Sequence, residues 1–376
     1  MFPTNKNDAL KRNYKFWNTQ PVPKLNESIE KNEIIEPNLV IDQLALPTDY
    51  LYFVEYDYNS DHDLLKISNF LDKYYVEDDD GDFRLHYSTN FLKWALQKEG
   101  TILLAIEMKE TELLVGFISA ILSKNKIYIT ELEMAEIDFL CIHPKLRDKR
   151  LAPIMIKELS RRVMSKHNIN VAIYTAWKYL PTPFTTAQYY HRAINIDILV
   201  KTGFMSNNIY SNIISNMPSN IIKMKKEHTI DALKCLNKYF DNYMCHPIFS
   251  EEEFVNTFLN SDIVCSYVLL DSNYQVVDFA SFYKLPYKII KSNKFVHAAY
   301  LYYYSNNSDR LLFIINSMLI AAKNEGMDVL NALDIMENKK VFNSLEFFLG
   351  TGKLNYYLYN YRCVEMLPFQ VAKLLL

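Results

Sequence analysis

Three stretches of the chain carry residues whose types and spacing could do chemistry. The first runs from residue 136 to residue 153. Ile137, Phe139 and Cys141 fall on one side of a partly alternating segment, which reads as a strand. It leads into a basic turn, Lys145-Leu146-Arg147-Asp148-Lys149-Arg150, and then into Leu151-Ala152-Pro153. Ala152, Met155, Ile156, Leu159 and Val163 share one helical face, and Pro153 suits a first helical turn, where a missing N–H costs nothing. A strand, a basic turn and a helix start together make an anion site. Free N–H groups and the helix dipole attract a phosphate, and Arg147, Lys149 and Arg150 add fixed charge. A merely solvated basic helix start has the same pattern.

The second stretch is the end of the chain, Val371-Ala372-Lys373-Leu374-Leu375-Leu376. Most chain ends are polar and frayed. Three terminal leucines are expected to be buried, carrying the carboxylate in with them. A free α-carboxyl has a pKa of about 3.3–3.7, too acidic for an efficient base, and burial raises it toward that use. A strand tucked in for stability alone reads the same way. The third stretch, Val76-Glu77-Asp78-Asp79-Asp80-Gly81-Asp82, is an acidic run. Such a run is usually a solvated loop; its sharper reading is an electrostatic receiver for a basic peptide.

The elements that must position these groups are bounded by composition. The 376 residues suit one large or two medium domains, and 49% hydrophobic content supplies a sizeable core. The 28 Tyr and 22 Phe suit half-wet cavities. A net charge of −3 gives no general drive toward nucleic acid or an anionic membrane, so any polyanion must be held by a local basic cluster. With only 7 Gly there is no GxGxxG and no Walker loop, and 8 scattered His without HExxH argue against a catalytic metal. Five Cys, at 141, 235, 245, 265 and 363, form no CxxC pair and point to a reducing compartment. With no signal pattern and no run of about 18 apolar residues, the chain reads as cytosolic and soluble.

Residues 1–47 read as a polar, proline-punctuated arm. Its aromatic island, Tyr14-Lys15-Phe16-Trp17, is either a hydrophobic clasp or a ligand contact. A helix is expected near 62–75, and strands near 101–106, 113–122, 126–130, 136–142 and 169–176. An Asn- and Ser-rich stretch around 205–225 divides domains at 48–210 and 211–376. The second half repeats the order: a helix over 228–243, strands over 263–270, 274–285 and 296–304, a helix over 309–325, then strands near 328–333 and 355–361. No sequence repeat is readable, but the shared order suggests pseudo-symmetry.

The turn at 147–152 resembles the R-x-x-G-x-A element by which GNAT acetyltransferases hold coenzyme A, with Arg150 in the glycine position. Seven segments in order resemble successive blocks of the N-myristoyltransferase family: "YKFWNTQPVPKL", "YVEDDDGDFRLHYS", "LVGFISA", "EIDFLCIHPKLRDKRLAP", "YTAWKYLPTPFTTAQYYHR", "DVLNALDIMENK" and "GTGKLNYYLYNYRC". The resemblance implies an α/β fold of two GNAT-like halves, with pseudo-twofold symmetry around a saddle-shaped mixed sheet. The arm 1–47 would cover coenzyme A, residues 48–210 would bind acyl-coenzyme A, and residues 211–376 would bind peptide and supply a catalytic C-terminus. The implied activity is transfer of myristate from myristoyl-CoA to the N-terminal glycine of proteins and peptides, without a metal or prosthetic group. It also implies no nucleic-acid partner and no integral membrane segment, and leaves ribosome association open. Two other readings remain: a GNAT-fold acyltransferase for another amine, and a catalytically silent acyl-coenzyme A or peptide-binding module.

The resemblance also implies residue roles. The backbone amides of Phe139 and Leu140 would form an oxyanion hole, and the Leu376 carboxylate would be the base. Thr175 and Asp138 would meet the glycine amine; the family commonly has Asn where this chain has Asp138. Tyr14, Lys15, Phe16 and Trp17 would cover the adenine and 3′-phosphate. Phe139, Leu140, Cys141 and Ile142 would lie along the acyl-coenzyme A, and Arg147, Asp148, Lys149, Arg150, Leu151 and Ala152 would hold its pyrophosphate, with Pro153 shaping the helix. Val76, Glu77, Asp78, Asp80, Phe83, Tyr174, Thr175, His191, Tyr300 and Leu376 would contact the peptide. Thr351 replaces the family's acidic residue between two glycines, which weakens the expectation of a strict lysine preference further along the peptide.

Overall fold

A computed structural model describes residues 3–75, 81–206, 213, 216–260 and 262–376. Val76 and the acidic positions Glu77, Asp78 and Asp80, and the boundary at 210/211, lie outside the described residues. The arm holds α1 (Lys6–Leu10) and β1 (Glu33–Ile34). The first half then runs β2 (Leu51–Tyr56), α2 (Asp61–Tyr74), β3 (Phe83–Leu85), α3 (Thr89–Leu96), β4 (Ile102–Met108), β5 (Leu114–Ile127), β6 (Thr130–Ile142), α4 (Leu151–His167), β7 (Ala172–Ala176) and β8 (Thr185–Ala193). After α5 (Ile196–Lys201) come β9 (Ile221–Lys223), α6 (Thr229–Phe240), β10 (Cys245–Pro247), α7 (Glu251–Phe258), β11 (Val264–Leu270) and β12 (Val276–Lys284). The chain closes with β13 (Tyr287–Ile289), β14 (Lys294–Val296), β15 (Ala298–Tyr304), α8 (Leu311–Asn324), β16 (Val329–Leu333), α9 (Lys339–Phe342), β17 (Phe348–Tyr359) and β18 (Tyr361–Arg362).

Thirteen strands form one mixed sheet, ordered β2-β4-β5-β6-β7-β17-β8-β16-β15-β12-β11-β9, with β10 paired to β5. Exchanging β2, β4, β5, β6, β7 and β8 with β9, β11, β12, β15, β16 and β17 returns the same order read backwards. Each half places two helices before its inner strands, and one long helix between two parallel strands: α4 between β6 and β7, α8 between β15 and β16. The expected pseudo-symmetry is therefore present in the topology. It includes a feature the element order does not reveal: the halves exchange their last strands, so β17 lies between β7 and β8.

Local chemistry explains the elements. Ser60 and Ser88 accept hydrogen bonds from the backbone at the starts of α2 and α3. On α4, Leu151, Met155, Leu159 and Val163 recur every fourth residue and bury against Leu104, Ile106, Ile118 and Ala120 of the sheet. Each such side chain contributes about 1.5–3 kcal/mol. Gly116 lets α4 approach closely, because a Cβ there would lie 2.9 Å from Met155 Sδ. The segment 126–130, expected as a separate strand, is instead the turn of a long hairpin: Ile127 pairs with Thr130. Its signal is hidden because Tyr128 takes the left-handed conformation (φ 55°) that glycine or asparagine usually supplies.

The arm packs on the last strands of the chain. β1 pairs with β18, Asn360 N donates to Pro21 O at 2.8 Å, and Arg362 Nε meets Glu27 at 2.6 Å.

Candidate active site

The parallel pairing of β6 with β7 lasts three residues, from Ala135/Ala172 to Ile137/Tyr174. Beyond that pair both strands continue without pairing to each other, which opens a wedge in the sheet. A bulge stands at its mouth. Phe117 faces Cys141 and Ser119 faces Asp138, so Phe139 and Leu140 together oppose Ile118. A bulge removes a residue from the ladder and re-aims its backbone. Phe139 has φ 59°, and its buried ring packs on Tyr75 and Tyr87 at 6.0 and 5.2 Å between centroids. The Leu140 side chain is 36% exposed. What the bulge presents is backbone, and the Phe139 N–H there meets the Tyr75 hydroxyl.

Asp138 and Thr175 are the first residues past the last β6–β7 pair. Paired Glu136 and Ile173 share a face, and a step of two keeps Asp138 and Thr175 on it. Tyr174 therefore points the other way. Its ring stacks between Trp17 (5.7 Å, 8°) and Tyr357 (5.1 Å, 17°), on the face covered by the arm. The structure thus groups Tyr174, expected among peptide contacts, with the aromatic island. Phe16 meets Trp17 edge-on, Tyr14 Oη donates to Tyr179 O at 2.9 Å, and Lys15 is exposed.

The basic turn is a 3-10 segment, Pro144–Lys149, that hands over to α4 through Arg150 (φ 58°). Arg150, at the glycine position of the acetyltransferase element, thus adopts a left-handed backbone that glycine takes most easily, at a strain of about 1 kcal/mol. The Arg150 side chain does not cap α4, so the N–H groups of its first turn, at Leu151 and Ala152, can face an anion. Lys149, Arg150 and Asp148 are exposed there, with Pro153 inside the first turn. Arg147 serves the turn's shape: Nε donates to Ile142 O (3.1 Å) and Nη2 to Tyr74 O (2.8 Å). Sequence reasoning missed Lys178, whose pKa is lowered by burial and then by Arg147 and whose ammonium lies 5.2 Å from the Trp177 ring centre. Burial pushes the Cys141 thiol up to about 12, so it stays protonated and is no nucleophile.

The tail reaches the same face. Ala372 N donates to Cys245 O at 2.7 Å, and Met336 N to Val371 O at 3.1 Å. Lys373 is 3% exposed and forms an ion pair with Glu136. Leu374 N donates to Tyr303 Oη at 3.0 Å. Leu375 is buried, and half-buried Leu376 packs on the main core. Tyr303 belongs to the pseudo-equivalent bulge of β15, where Tyr302 and Tyr303 oppose Ser281. The two bulged strands hold the tail between them. Asp138 is buried beside it, and its carboxyl is pushed up to about 8 by burial and by Glu136, with Lys373 pulling the other way.

Of the remaining expected peptide contacts, His191 on β8 and Tyr300 on β15 lie in the second half's part of the main sheet, and Phe83 on β3 lies in a separate sheet with β13 and β14. His191 Nδ1 is 2.6 Å from Asn331 Oδ1, and burial lowers its pKa, which keeps it neutral. Tyr300 Oη and Tyr287 Oη are 2.6 Å apart, and Phe83 packs edge-on against Phe204. A methyl group on Gly350 would collide with the His191 ring. Gln188 Nε2 fixes that loop by donating to Gly350 O (2.9 Å) and Gly352 O (2.7 Å), leaving Thr351 exposed. Asn355 Nδ2 donates to Ala176 O (3.1 Å) and Trp177 O (3.2 Å), securing the chain after Thr175. Gln188, Asn331 and Asn355 were not singled out in the sequence; a polar amide in a buried strand was their one signal. Among the described residues, no three His, Cys, Asp or Glu side chains are grouped to hold a metal ion.

Comparison with known proteins places this arrangement. The profile of the myristoyl-CoA:protein N-myristoyltransferase N-terminal domain matches residues 29–187, and that of the C-terminal domain residues 205–372. A glycylpeptide N-tetradecanoyltransferase of Plasmodium falciparum is 38% identical over 99% of this chain and 96% of its own. One of Drosophila melanogaster is 39% identical over 98% of this chain and 82% of its own. A crystal structure of Saccharomyces cerevisiae N-myristoyltransferase with bound myristoyl-CoA superposes with a TM-score of 0.90 at 31% identity, covering 97% of this chain and 100% of that one.

Proposed function

The chain belongs to the N-myristoyltransferase family, as a glycylpeptide N-tetradecanoyltransferase, and from that premise we propose how its own residues move myristate from myristoyl-CoA to an N-terminal glycine. The observation that carries the proposal is the bulge at Phe139 and Leu140, at the mouth where β6 and β7 part. The thioester carbonyl lies against it, and the two amides receive the negative charge that develops on oxygen. Such donors are fixed before the charge appears, which is where their catalytic value comes from.

An α-amino group has a pKa of about 7.7–8.0, so the glycine enters largely as ammonium. The Thr175 hydroxyl and Asp138 orient it. The Leu376 carboxylate accepts one proton, and the freed lone pair attacks the thioester carbon. The tetrahedral intermediate collapses, expels coenzyme A as its thiolate and yields the amide; the second amine proton leaves with the thiolate. The pyrophosphate lies on the first turn of α4 with Lys149 and Arg150, while Arg147 maintains the turn. The arm, residues 1–47, closes over coenzyme A through Trp17. Burial of a fourteen-carbon chain, at about 0.8 kcal/mol per CH₂, supplies ample energy to order the site before the peptide binds. Residues 48–210 serve the acyl donor and 211–376 the peptide, whose basic side chains meet the acidic run at 77–82. The reading needs no metal.

We also read the enzyme as cytosolic and its acceptors as proteins bearing an N-terminal glycine. Five free cysteines support this. Among the described residues no helix is long and apolar enough to cross a membrane.

A peptide acylation assay tests the mechanism, comparing the full chain with one ending at Lys373. The shortened chain should lose turnover and keep myristoyl-CoA affinity; unchanged turnover rules out the terminal carboxylate as base. Peptides starting Gly, Ala and acetyl-Gly test the acceptor, and only the first should react.

A further inference from the structure

Beside the amine position lies a buried ion pair, Glu136 with Lys373, that the mechanism above does not use. Glu136 and Asp138 project from the same face of β6, and both are withdrawn from water. The Lys373 side chain, 4% exposed, reaches in from the tail to pair with Glu136. A buried lysine three residues from the chain end is costly to maintain, because an ammonium loses its hydration on burial. It is tolerated here because Glu136 neutralises it. The outcome is a tail whose seat depends on a charge two residues from the amine site.

We infer that Asp138 is a second proton acceptor for the glycine ammonium, and that the buried Glu136–Lys373 pair is a positioning element that governs when Asp138 can act. This rests on the glycine-acylation reading of the same site. In the step itself an N–H bond of the ammonium breaks and an O–H bond forms on the Asp138 carboxylate. The electron pair stays on nitrogen and attacks the thioester carbon. The proton then passes to the Leu376 carboxylate or to solvent as product leaves.

The match of proton affinities supports this. Asp138, pushed up to about 8, sits in the range of an α-amino group, so transfer between them is nearly balanced, the condition under which a general base is most effective. The groups facing Asp138 fix the sign of each perturbation. Glu136 on its own strand raises it and Lys373 on the tail lowers it. Tyr75 after α2, Tyr87 before α3 and Tyr302 on β15 feel its charge, and burial holds all three phenols in the neutral form. Ser119 on β5 pairs across the ladder, its hydroxyl spent on the Asp138 carbonyl at 3.1 Å. An asparagine at position 138 could orient the amine by hydrogen bonds but could not take its proton.

The test is single-turnover acylation of a glycyl peptide by full-length enzyme preloaded with myristoyl-CoA, measured from pH 6 to pH 9. Asp138→Asn should lower the rate constant about tenfold near pH 7.5 and abolish the acid limb that Asp138 contributes, with myristoyl-CoA affinity unchanged. Glu136→Gln removes the charge that raises Asp138, so the acid limb should move to lower pH. In the Asp138→Asn background the same change should move nothing. An Asn variant with the wild-type rate and profile overturns the inference, as does a Glu136→Gln shift that persists without Asp138. Should the Asn variant not fold, Glu136→Gln alone decides: a limb moved to lower pH supports the inference, and an unmoved one overturns it. A wild type that binds myristoyl-CoA but acylates no glycyl peptide overturns the parent reading as well, so the two failures are distinguishable.

Discussion

Between β6 and α4 the loop carries Lys145, Arg147, Lys149 and Arg150, and the Arg150 side chain does not cap the helix. Between β15 and α8, the equivalent loop of the second half folds around a carboxylate of the protein itself. Asp278 accepts from Ser305 Oγ (2.8 Å), Asn307 N (2.6 Å), Ser308 N (3.1 Å) and the Ser308 hydroxyl. The same strand–loop–helix unit thus appears once with exposed cations beside an uncapped helix start and once with an internal carboxylate filling the loop. The sheet shows a parallel contrast. Each half has a three-residue parallel pairing, a bulge just beyond it and a wedge. At the first mouth stand Asp138 and Thr175; at the second, by the same register, Leu301 and Ala332. A duplicated scaffold does not carry a duplicated active site. Which copy can bind and react is decided by a few polar substitutions at equivalent positions.

Asp278→Ala should break the comparison most visibly. It strands one buried and three half-buried donors and should cost about 2–4 kcal/mol, read as a lower urea midpoint, while myristoyl-CoA affinity of the folded enzyme stays unchanged. A loss of affinity instead would mean that the second loop is part of the donor site. Asp138→Asn comes next and acts in the opposite direction. The folded chain holds a proton on Asp138 up to about pH 8, whereas the unfolded chain releases it near 4. The stabilisation is therefore complete below about pH 4 and declines as pH rises to 8. The Asn variant lacks that decline and should exceed wild type at pH 8 by a few kcal/mol, seen in denaturation at pH 5 and pH 8. Equal stabilities at both values would mean that Asp138 ionises freely. Lys149→Ala with Arg150→Ala should weaken myristoyl-CoA binding roughly tenfold and flatten its salt dependence, with little change in stability. The smallest effect is the most diagnostic. Arg150→Gly should stabilise the fold by about 1 kcal/mol by relieving the left-handed backbone, while still weakening coenzyme A binding.

The sequence made the individual elements legible where periodicity was strong. The helix expected over 309–325 is Leu311–Asn324, and the strand over 263–270 is Val264–Leu270. The basic helix start was legible too, since its charges and Pro153 are contiguous. What escaped depends on partners far away in the chain. The bulge at Phe139 lacks the glycine that would announce it. The reversal of Tyr174 toward the arm follows from alternation once the face of Thr175 is known, and that face is set by pairing. Arg147, expected at the pyrophosphate because its charge is visible in sequence, also braces the turn through the carbonyls of Ile142 and Tyr74, which the sequence does not show. Lys373 and Glu136 are separated by more than half the chain, and nothing local marks them as partners.

The exchanged strand has a consequence for how the molecule is made. β7 and β8 are complete once residue 193 has been synthesised, but β17, which joins them, arrives only with residues 348–359. Until then one edge of β7 lacks its partner, as do both edges of β8 until β16 is made, and each is a template for pairing with another nascent chain. The first half therefore cannot finish folding during translation, and a fragment ending near residue 206 should aggregate rather than persist as an independent unit. Long-range closure of this kind also slows folding. The enzyme is thus kinetically a single object, whose earliest residues wait on its latest.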